Sequence, residues 1–463
     1  MKKKFNFTMS AENAPQLLTV GSPWRRIVRF SLPLLAGDFF QIFYTIADTF
    51  FLGRLLGINA LAAAGAGAGI VQFVFGFVFG LTGGFSVITA QRFGAGDEEG
   101  IRRSIAASLC LCLAAGIAIT ALVIPFVRPL LVTMQTPVEI LDNASSYVII
   151  IVAGLMVTIC YNMLASIIHA AGDSFSPLVF LIIGTILNII LDIVCIVIFR
   201  WGVPGAAAAT VFSQLISAIL IVRFIIKRYP HLFPRRGEWL QSRSELGTHL
   251  SLGIAMALQR SIVEVGNLLV QAAMNSLGAL TIAAVSAAQR IRAVNMMPFF
   301  AIARAMTTYT AQNYGAKKMD RVYRGIRQSC LIVIILGIFM ALLNRFAGNQ
   351  FAGLFLKGNA EALAMARRYI QYTGNTVFIL GIMLVCRSGL QGLGRKRAPV
   401  LCGIMETAMS ILSALVLIPA YGFTGICLVN PLSWFASGIP LYIAFAVFVR
   451  TQKNAVLCPD EAS

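Results

Sequence analysis

Apolar residues in this chain run in long stretches divided by short polar breaks, rather than recurring at the spacing of a half-buried surface helix. Residues 177–199 form one stretch, opening just after the break at 172–176, and 330–343 form the centre of another. A helix needs about 20 mainly apolar residues to cross a bilayer, and about twelve such segments tile the chain. The pattern predicts first-half spans over 27–51, 60–88, 104–127, 143–168, 177–199 and 203–226. Second-half spans are predicted over 248–275, 282–311, 326–347, 368–390, 399–419 and 424–449. The expected fold is an all-α polytopic membrane protein.

Composition agrees with that reading. Apolar residues make up 58% of the 463, and only 12% carry charge, where a soluble domain has about a quarter charged. A net charge of +19 and a pI near 10.0 would suggest nucleic acid in a soluble protein. Their placement gives a better account. With a cytoplasmic N-terminus and alternating helices, the cytoplasmic segments hold 26 Lys and Arg residues and the outer segments hold seven. Such a bias orients a plasma (inner) membrane protein with both ends inside, and no nucleic-acid partner is expected. The basic start is followed by polar residues, so no cleavable signal is expected. The nine cysteines lack metal-ligand spacing, and Cys110, Cys112, Cys160 and Cys195 read as packing residues. There is no G-x-x-x-x-G-K-[ST] segment for nucleotide phosphates. No nucleophile or metal constellation marks an enzyme, and no cofactor is expected.

The chain repeats itself once. Thr89-Ala90-Gln91-Arg92-Phe93-Gly94-Ala95 returns as Thr310-Ala311-Gln312-Asn313-Tyr314-Gly315-Ala316, an offset of 221. Gly172 with Pro177 returns as Gly394 with Pro399 at an offset of 222. Trp201-Gly202-Val203-Pro204-Gly205 returns as Tyr421-Gly422-Phe423-Thr424-Gly425 at 220. Three matches in order at nearly one offset imply two homologous six-helix halves. Six is even, so the repeats are parallel, related by an axis along the membrane normal. The expected organisation is an N-terminal lobe over 1–226, a basic cytoplasmic linker over 227–247, a C-terminal lobe over 248–449 and a tail over 450–463. Two facing bundles would leave a central cleft suited to alternating access. Gly65, Gly67, Gly69, Gly76 and Gly80 are expected to permit close helix contact.

Acidic residues in apolar spans cost about 2.5–3.5 kcal/mol each on insertion scales and need a partner or a cavity. The first half places Asp38 and Asp48 in helix 1 and Asp192 in helix 5. Gln41, Tyr44 and Asp48 share one helical face, as do Asn188 and Asp192, and Thr210 lies in an apolar run of helix 6. Pro33 is an expected kink in helix 1. Aligned on the two prolines, Ser410 and Ala414 stand opposite Asn188 and Asp192, and Leu269 stands opposite Asp48. The duplicated fold therefore does not need these carboxylates, which favours an ion-coupling site over a structural polar network. Asp48 and Asp192 could exchange protons, or with Asn188 and Thr210 supply hard oxygen ligands to a small cation such as Na+. Glu264, four residues from Arg260, either pairs with that arginine or lines a substrate cavity with Gln41 and Tyr44. Glu406, Arg290, Arg292 and Arg304 are further charges inside second-half helices.

The segment Tyr44–Arg54, the repeated Thr89–Ala95, Gly172-Asp173 before Pro177, and Asn188 with Asp192 resemble multidrug and toxic compound extrusion (MATE) transporters. The DinF-like branch is the nearest, and the resemblance covers residues 24–449. It implies a twelve-helix, two-lobed antiporter exporting amphipathic, often cationic organic compounds against H+ or Na+, working as a monomer among membrane lipids. By the same resemblance, Asp48, Asn188, Asp192 and Thr210 match a first-lobe cation site, with Ala206 offering a backbone carbonyl. Pro33 matches a helix-1 bend and Asn162 a polar residue facing the cavity. Leu380 stands where some relatives carry an acid, and His169 where many carry arginine. The alternative function is a flippase for lipid-linked saccharides, motivated by helix-embedded arginines that could meet a phosphate.

Overall fold

A computed structural model describes residues 17–239, 243–353, 356 and 359–457 of the chain. Lys2, Lys3 and Lys4, linker residues 240–242 and tail residues 458–463 lie outside the described residues. Inside a bilayer every backbone N–H and C=O must find its partner within the segment, so spans become continuous helices. Among the described residues there are twelve long helical segments and no strand.

The first six are α1 (Pro23–Phe51), α2 (Ile58–Ala95), α3 (Glu98–Thr133), α4 (Val138–Ala153 with Leu155–Ala170), α5 (Phe175–Ile193) and α6 (Gly202–Arg228). The second six are α7 (Arg243–Asn275), α8 (Ala279–Gly315), α9 (Met319–Gly353), α10 (Ala360–Gly392), α11 (Arg397–Leu412) and α12 (Phe423–Leu457). Ten are long and apolar enough to span a membrane, and α4 adds an eleventh as a pair bent by 46°. Helix α8 is the twelfth, made less apolar by Arg290, Arg292 and Arg304. Most segments run past the expected spans, because the bilayer limits the apolar length and leaves the helix free to continue into polar surroundings. The bend at Gly154 has no proline behind it and was not expected.

The repeat reappears in the backbone. Gly96 and its counterpart Lys317 both have positive φ (69° and 57°), as do Gly172 and Gly394 (90° and 74°). Lys317 takes the left-handed turn without glycine's steric freedom, so the turn itself is what the duplicated scaffold keeps. Single π turns follow α5 and α11, at Val194–Ile198 and Ser413–Leu417. Another follows α1, at Leu52–Leu56.

The chain forms two compact units, and their borders fall inside helices. Among the described residues, one holds 32–257 and the other 18–31 with 258–457. The lobe borders expected from sequence sat between helices. The difference has a local cause, and the repeated T-A-Q motif explains it. In the first unit Arg92 lies 2.6 Å from Glu245. Thr89 bonds Ser104 at 2.8 Å, Ser104 bonds His249 Nε2 at 2.8 Å, and His249 Nδ1 meets the Glu245 carbonyl at 2.9 Å. The start of α7 is thereby held to α2 and α3. Below it, Gly80 and Gly84 face Ala257 and Gly253, where an added Cβ would lie 2.5 Å from a backbone Cα. These two small-x-x-x-small pairs let the α2 and α7 backbones touch. Gly80 and Gly67 thus meet the packing expectation, whereas Gly65 and Gly69 face open space.

In the second unit the equivalent motif grips the segment entering α1. The Leu18 N–H donates to Gln312 Oε1 at 2.7 Å, Lys318 Nζ donates to the Thr19 carbonyl at 3.1 Å, and Arg321 donates to the Gly21 carbonyl at 2.8 Å. Each copy of the motif therefore holds the lead-in to the other half's first helix. Ser104, His249 and Glu245 superficially follow the order of a nucleophilic triad. Ser104 and His249 are 0% exposed, so no substrate reaches them and their role is to hold helices together.

Candidate ion-coupling site

Three helices of the first unit each bring a pair of residues spaced i, i+4: Tyr44 and Asp48 on α1, Asn188 and Asp192 on α5, Ala206 and Thr210 on α6. This spacing stacks both side chains on one helical face. The hydroxyls of Tyr44 and Thr210 lie 3.1 Å apart, and Asn188 Nδ2 lies 3.5 Å from Thr210 Oγ1. Asn188 and Asp192 are 0% exposed, and Ala206 and Thr210 are buried. The charge of Asp48 acts on Asp192, and both carboxylates act on Tyr147 of α4.

Four buried oxygens here lack a hydrogen-bond partner: Asp48 Oδ1, Asn188 Oδ1, and both carboxylate oxygens of Asp192. An unpaired buried carboxylate costs several kcal/mol, on the order of the whole stability of a small domain. A proton or a bound cation would remove that cost. Four buried oxygens without donors suit either guest, since a small hard cation takes oxygen ligands. No group of three His, Cys, Asp or Glu residues able to hold a metal occurs among the described residues.

The π turns matter to this geometry. One follows Asp48 by four residues and the other follows Asp192 by two, and the two turns are neighbours. A π turn inserts one residue into the helical register and re-aims the side chains that follow. Leu52 and Ile196, one from each turn, pack with Ala206 in a small buried cluster. Sequence periodicity gave no sign of either turn. Tyr147 was also missed, since one tyrosine in an apolar run has no distinguishing spacing.

The expected cavity residues separate. Tyr44 belongs to the site. Asn162 Nδ2 donates to the Thr158 carbonyl of its own helix at 2.8 Å, and Gln41 is exposed. Glu264 lies in the second unit, where it accepts from Asn267 at 3.3 Å and interacts with the charge of Arg260. Helix α1 passes through Pro33 without a break, and it changes compact unit between Ser31 and Leu32. Asp173 caps α5, accepting from the backbone of Phe175 and Ser176 at 2.9 and 3.0 Å. That gives the Gly172-Asp173 segment a structural role.

Twelve membrane-length helices in two repeats, with unpartnered carboxylate oxygens buried on two of them, define a multi-pass membrane transporter. The MatE family model matches residues 33–194 and 255–419, and the chain belongs to that family of multidrug efflux transporters rather than to the enzymes. The probable multidrug resistance protein YpnP of Bacillus subtilis is 28% identical, over 81% of this chain and 84% of its own length. The probable multidrug resistance protein NorM of Thermotoga maritima is 23% identical over 81% and 82%. An outward-facing multidrug resistance MATE family transporter superposes with a TM-score of 0.85 at 23% identity, covering 96% of this chain and all of the other. That likeness is one of fold.

Proposed function

We propose that this chain is a secondary antiporter, exporting amphipathic and often cationic organic compounds in exchange for H+ or Na+ by alternating access. The observation that carries the reading is the set of partnerless buried oxygens on Asp48, Asn188 and Asp192, beside Thr210 and Tyr44. Occupation by a proton or a cation removes the penalty of dry charge and draws α1, α5 and α6 together. Their rearrangement lowers affinity for a bound organic cation, and release follows. Pro33 supplies a bending point, because proline leaves one helical hydrogen bond unmade. It lies two residues beyond the position where α1 changes unit.

In this reading the chain sits nearest the DinF-like branch, works as a monomer in the plasma membrane among its lipids, and keeps both termini in the cytoplasm. The two lobes, 1–226 and 248–449, act as the moving bodies and the basic linker joins them. Gln41, Asn162 and Glu264 line the substrate path. The single-copy acids argue against a lipid-linked saccharide flippase driven by arginine contacts alone.

Exchange under an imposed H+ or Na+ gradient, in liposomes containing purified protein, tests the assignment. Asp48→Asn and Asp192→Asn should each abolish coupled exchange while the protein remains folded and inserted. Wild-type exchange by either variant removes that residue from the coupling site.

A further inference from the structure

The second unit has a partly enclosed cavity between α8, α9 and α10, with room for a guest about the size of one water molecule. Its polar lining comes from Arg292 and Asn295 on α8, Asn344 on α9 and Thr373 on α10. Met296, Ile370 and Val377 supply apolar walls, and no carboxylate is among the lining residues. Gly374 leaves room for the Asn344 amide, since a Cβ there would fall 2.8 Å from Asn344 Nδ2.

The hydrogen bonds around this cavity leave donors over. Arg292 Nη1 donates to Asn430 Oδ1 at 3.1 Å, and Asn430 Nδ2 donates to the Tyr369 hydroxyl at 3.0 Å. Asn295 Nδ2 donates to Asn344 Oδ1 at 2.7 Å, and Thr373 gives its hydroxyl proton to the Tyr369 carbonyl at 2.9 Å. Arg292 Nε is buried without an acceptor. Among the described residues Asn430 is the one partner of this guanidinium, which makes no ion pair, and Asn344 Nδ2 donates to nothing.

Arg292 lies thirteen residues into α8, about 20 Å along the axis, which reaches the depth of the hydrocarbon layer. A carboxylate at that depth can take up a proton and lose its charge. Arginine keeps its charge at any ordinary pH. An anion beside the guanidinium would offset it.

The scaffold does not require this polar set. At the offsets of the repeat, Val71, Val74, Val123 and Ile151 stand opposite Arg292, Asn295, Asn344 and Thr373. One copy of the fold fills the region with apolar side chains, and the other opens a polar cavity there. Tyr369 and Asn430 stand opposite Tyr147 and Thr210 of the coupling site, whose acids have only Leu269 and Ala414 as counterparts. The second half thus has a base and amide donors at the place that corresponds to the carboxylates of the first.

We propose that Arg292 and the Asn344 amide bind a small monovalent anion of the halide class in this cavity. One fixed positive charge matches one negative charge, and the small space excludes phosphate and organic anions. A weakly hydrated guanidinium among apolar walls suits an ion that sheds its own water readily. The site does not depend on antiport, and nothing in the coupling mechanism uses it.

Chloride itself is the probe. The chloride NMR linewidth is measured in sodium chloride with the purified full-length protein in detergent, because bound chloride broadens the line. Exposed basic residues add a background, so the readout is the difference between proteins. Arg292→Gln and Asn344→Asp should each lower the excess linewidth, with unchanged elution from a sizing column. Arg223→Gln, at an exposed position of α6, should leave it as it is. Asn344→Asp keeps the shape of the side chain and the acceptor for Asn295, and puts a carboxylate where the guest would sit. The thermal midpoint gives a second readout. Replacing gluconate by chloride at constant sodium should raise the wild-type midpoint by a few degrees and leave that of Asn344→Asp unchanged. A wild-type midpoint that ignores chloride, or an excess linewidth that both cavity variants retain, overturns the site. Either result leaves the roles of Asp48 and Asp192 to gradient-driven exchange, which tests them separately.

Discussion

The hydroxyls of Tyr44 and Thr210 lie 3.1 Å apart, joining α1 to α6 at the depth where Asp48 and Asp192 lack partners. Thr210 is also the neighbour of Asn188, so one hydroxyl links all three helices of the site. Removing the Tyr44 hydroxyl should loosen this link without disturbing the apolar packing. Tyr44→Phe is expected to cost about 1 kcal/mol in stability and to slow gradient-driven exchange several-fold in liposomes. Equal exchange rates in the two proteins would show that the bond plays no part in coupling.

A second prediction concerns the grip on α7. His249 is fully buried, with Ser104 on one ring nitrogen and the Glu245 carbonyl on the other. His249→Ala leaves the Ser104 hydroxyl with Thr89 alone, while Thr89 also keeps the Phe85 carbonyl at 3.4 Å. The penalty for a buried group left unsatisfied is about 1–3 kcal/mol, and the lost ring adds a cavity. The thermal midpoint in detergent should fall by several degrees, and by more than for Thr248→Ala, whose side chain is exposed and bonds only its own helix.

Much of this architecture is legible in the sequence, and the reason is the bilayer. Lipid demands unbroken apolar runs and continuous helices, so spans such as 177–199 mark themselves. Asp48 and Asp192 are visible for the same reason, because a carboxylate in such a run is costly. The T-A-Q motif was legible as a repeat but not as a clasp. Its partners, Glu245 for Arg92 and Leu18 for Gln312, lie 153 and 294 residues away, and nothing in the local pattern encodes that pairing. The π turns after Asp48 and Asp192 were hidden because one extra residue per turn leaves an apolar run looking the same. Tyr147 was hidden because its importance lies in what α1 and α5 bring to it.

The linker offers a pH-dependent prediction outside the membrane. Arg102 Nε lies 2.8 Å from Glu238 Oε1, and the Arg235 N–H donates to Glu238 Oε2 at 2.7 Å. Burial pushes the Glu238 carboxyl up, but hydrogen bonds from Arg235 and Arg102 and their positive charges outweigh it and hold it below its ordinary value. A lowered native value means that the contact stabilises the fold above the unfolded value of about 4.3. That stabilisation disappears as pH falls through the native value. At neutral pH, Glu238→Gln should cost about 1.5–3 kcal/mol, the range for a hydrogen bond to a charged group. The gap in thermal midpoint between wild type and variant should close on acidification from about pH 6 to about pH 3. A constant gap would assign the loss to packing.

The central claim is that ion and substrate share one conformational equilibrium, which requires each to change the other's affinity by the same factor. The most direct measurement is the affinity of the purified protein for tetraphenylphosphonium, whose charge is independent of pH, across H+ and Na+ concentrations. Affinity should fall as the coupling ion rises in the wild type and stay flat in Asp192→Asn. A wild-type affinity that is constant across both titrations would contradict the coupling mechanism, even if the protein still exports organic cations.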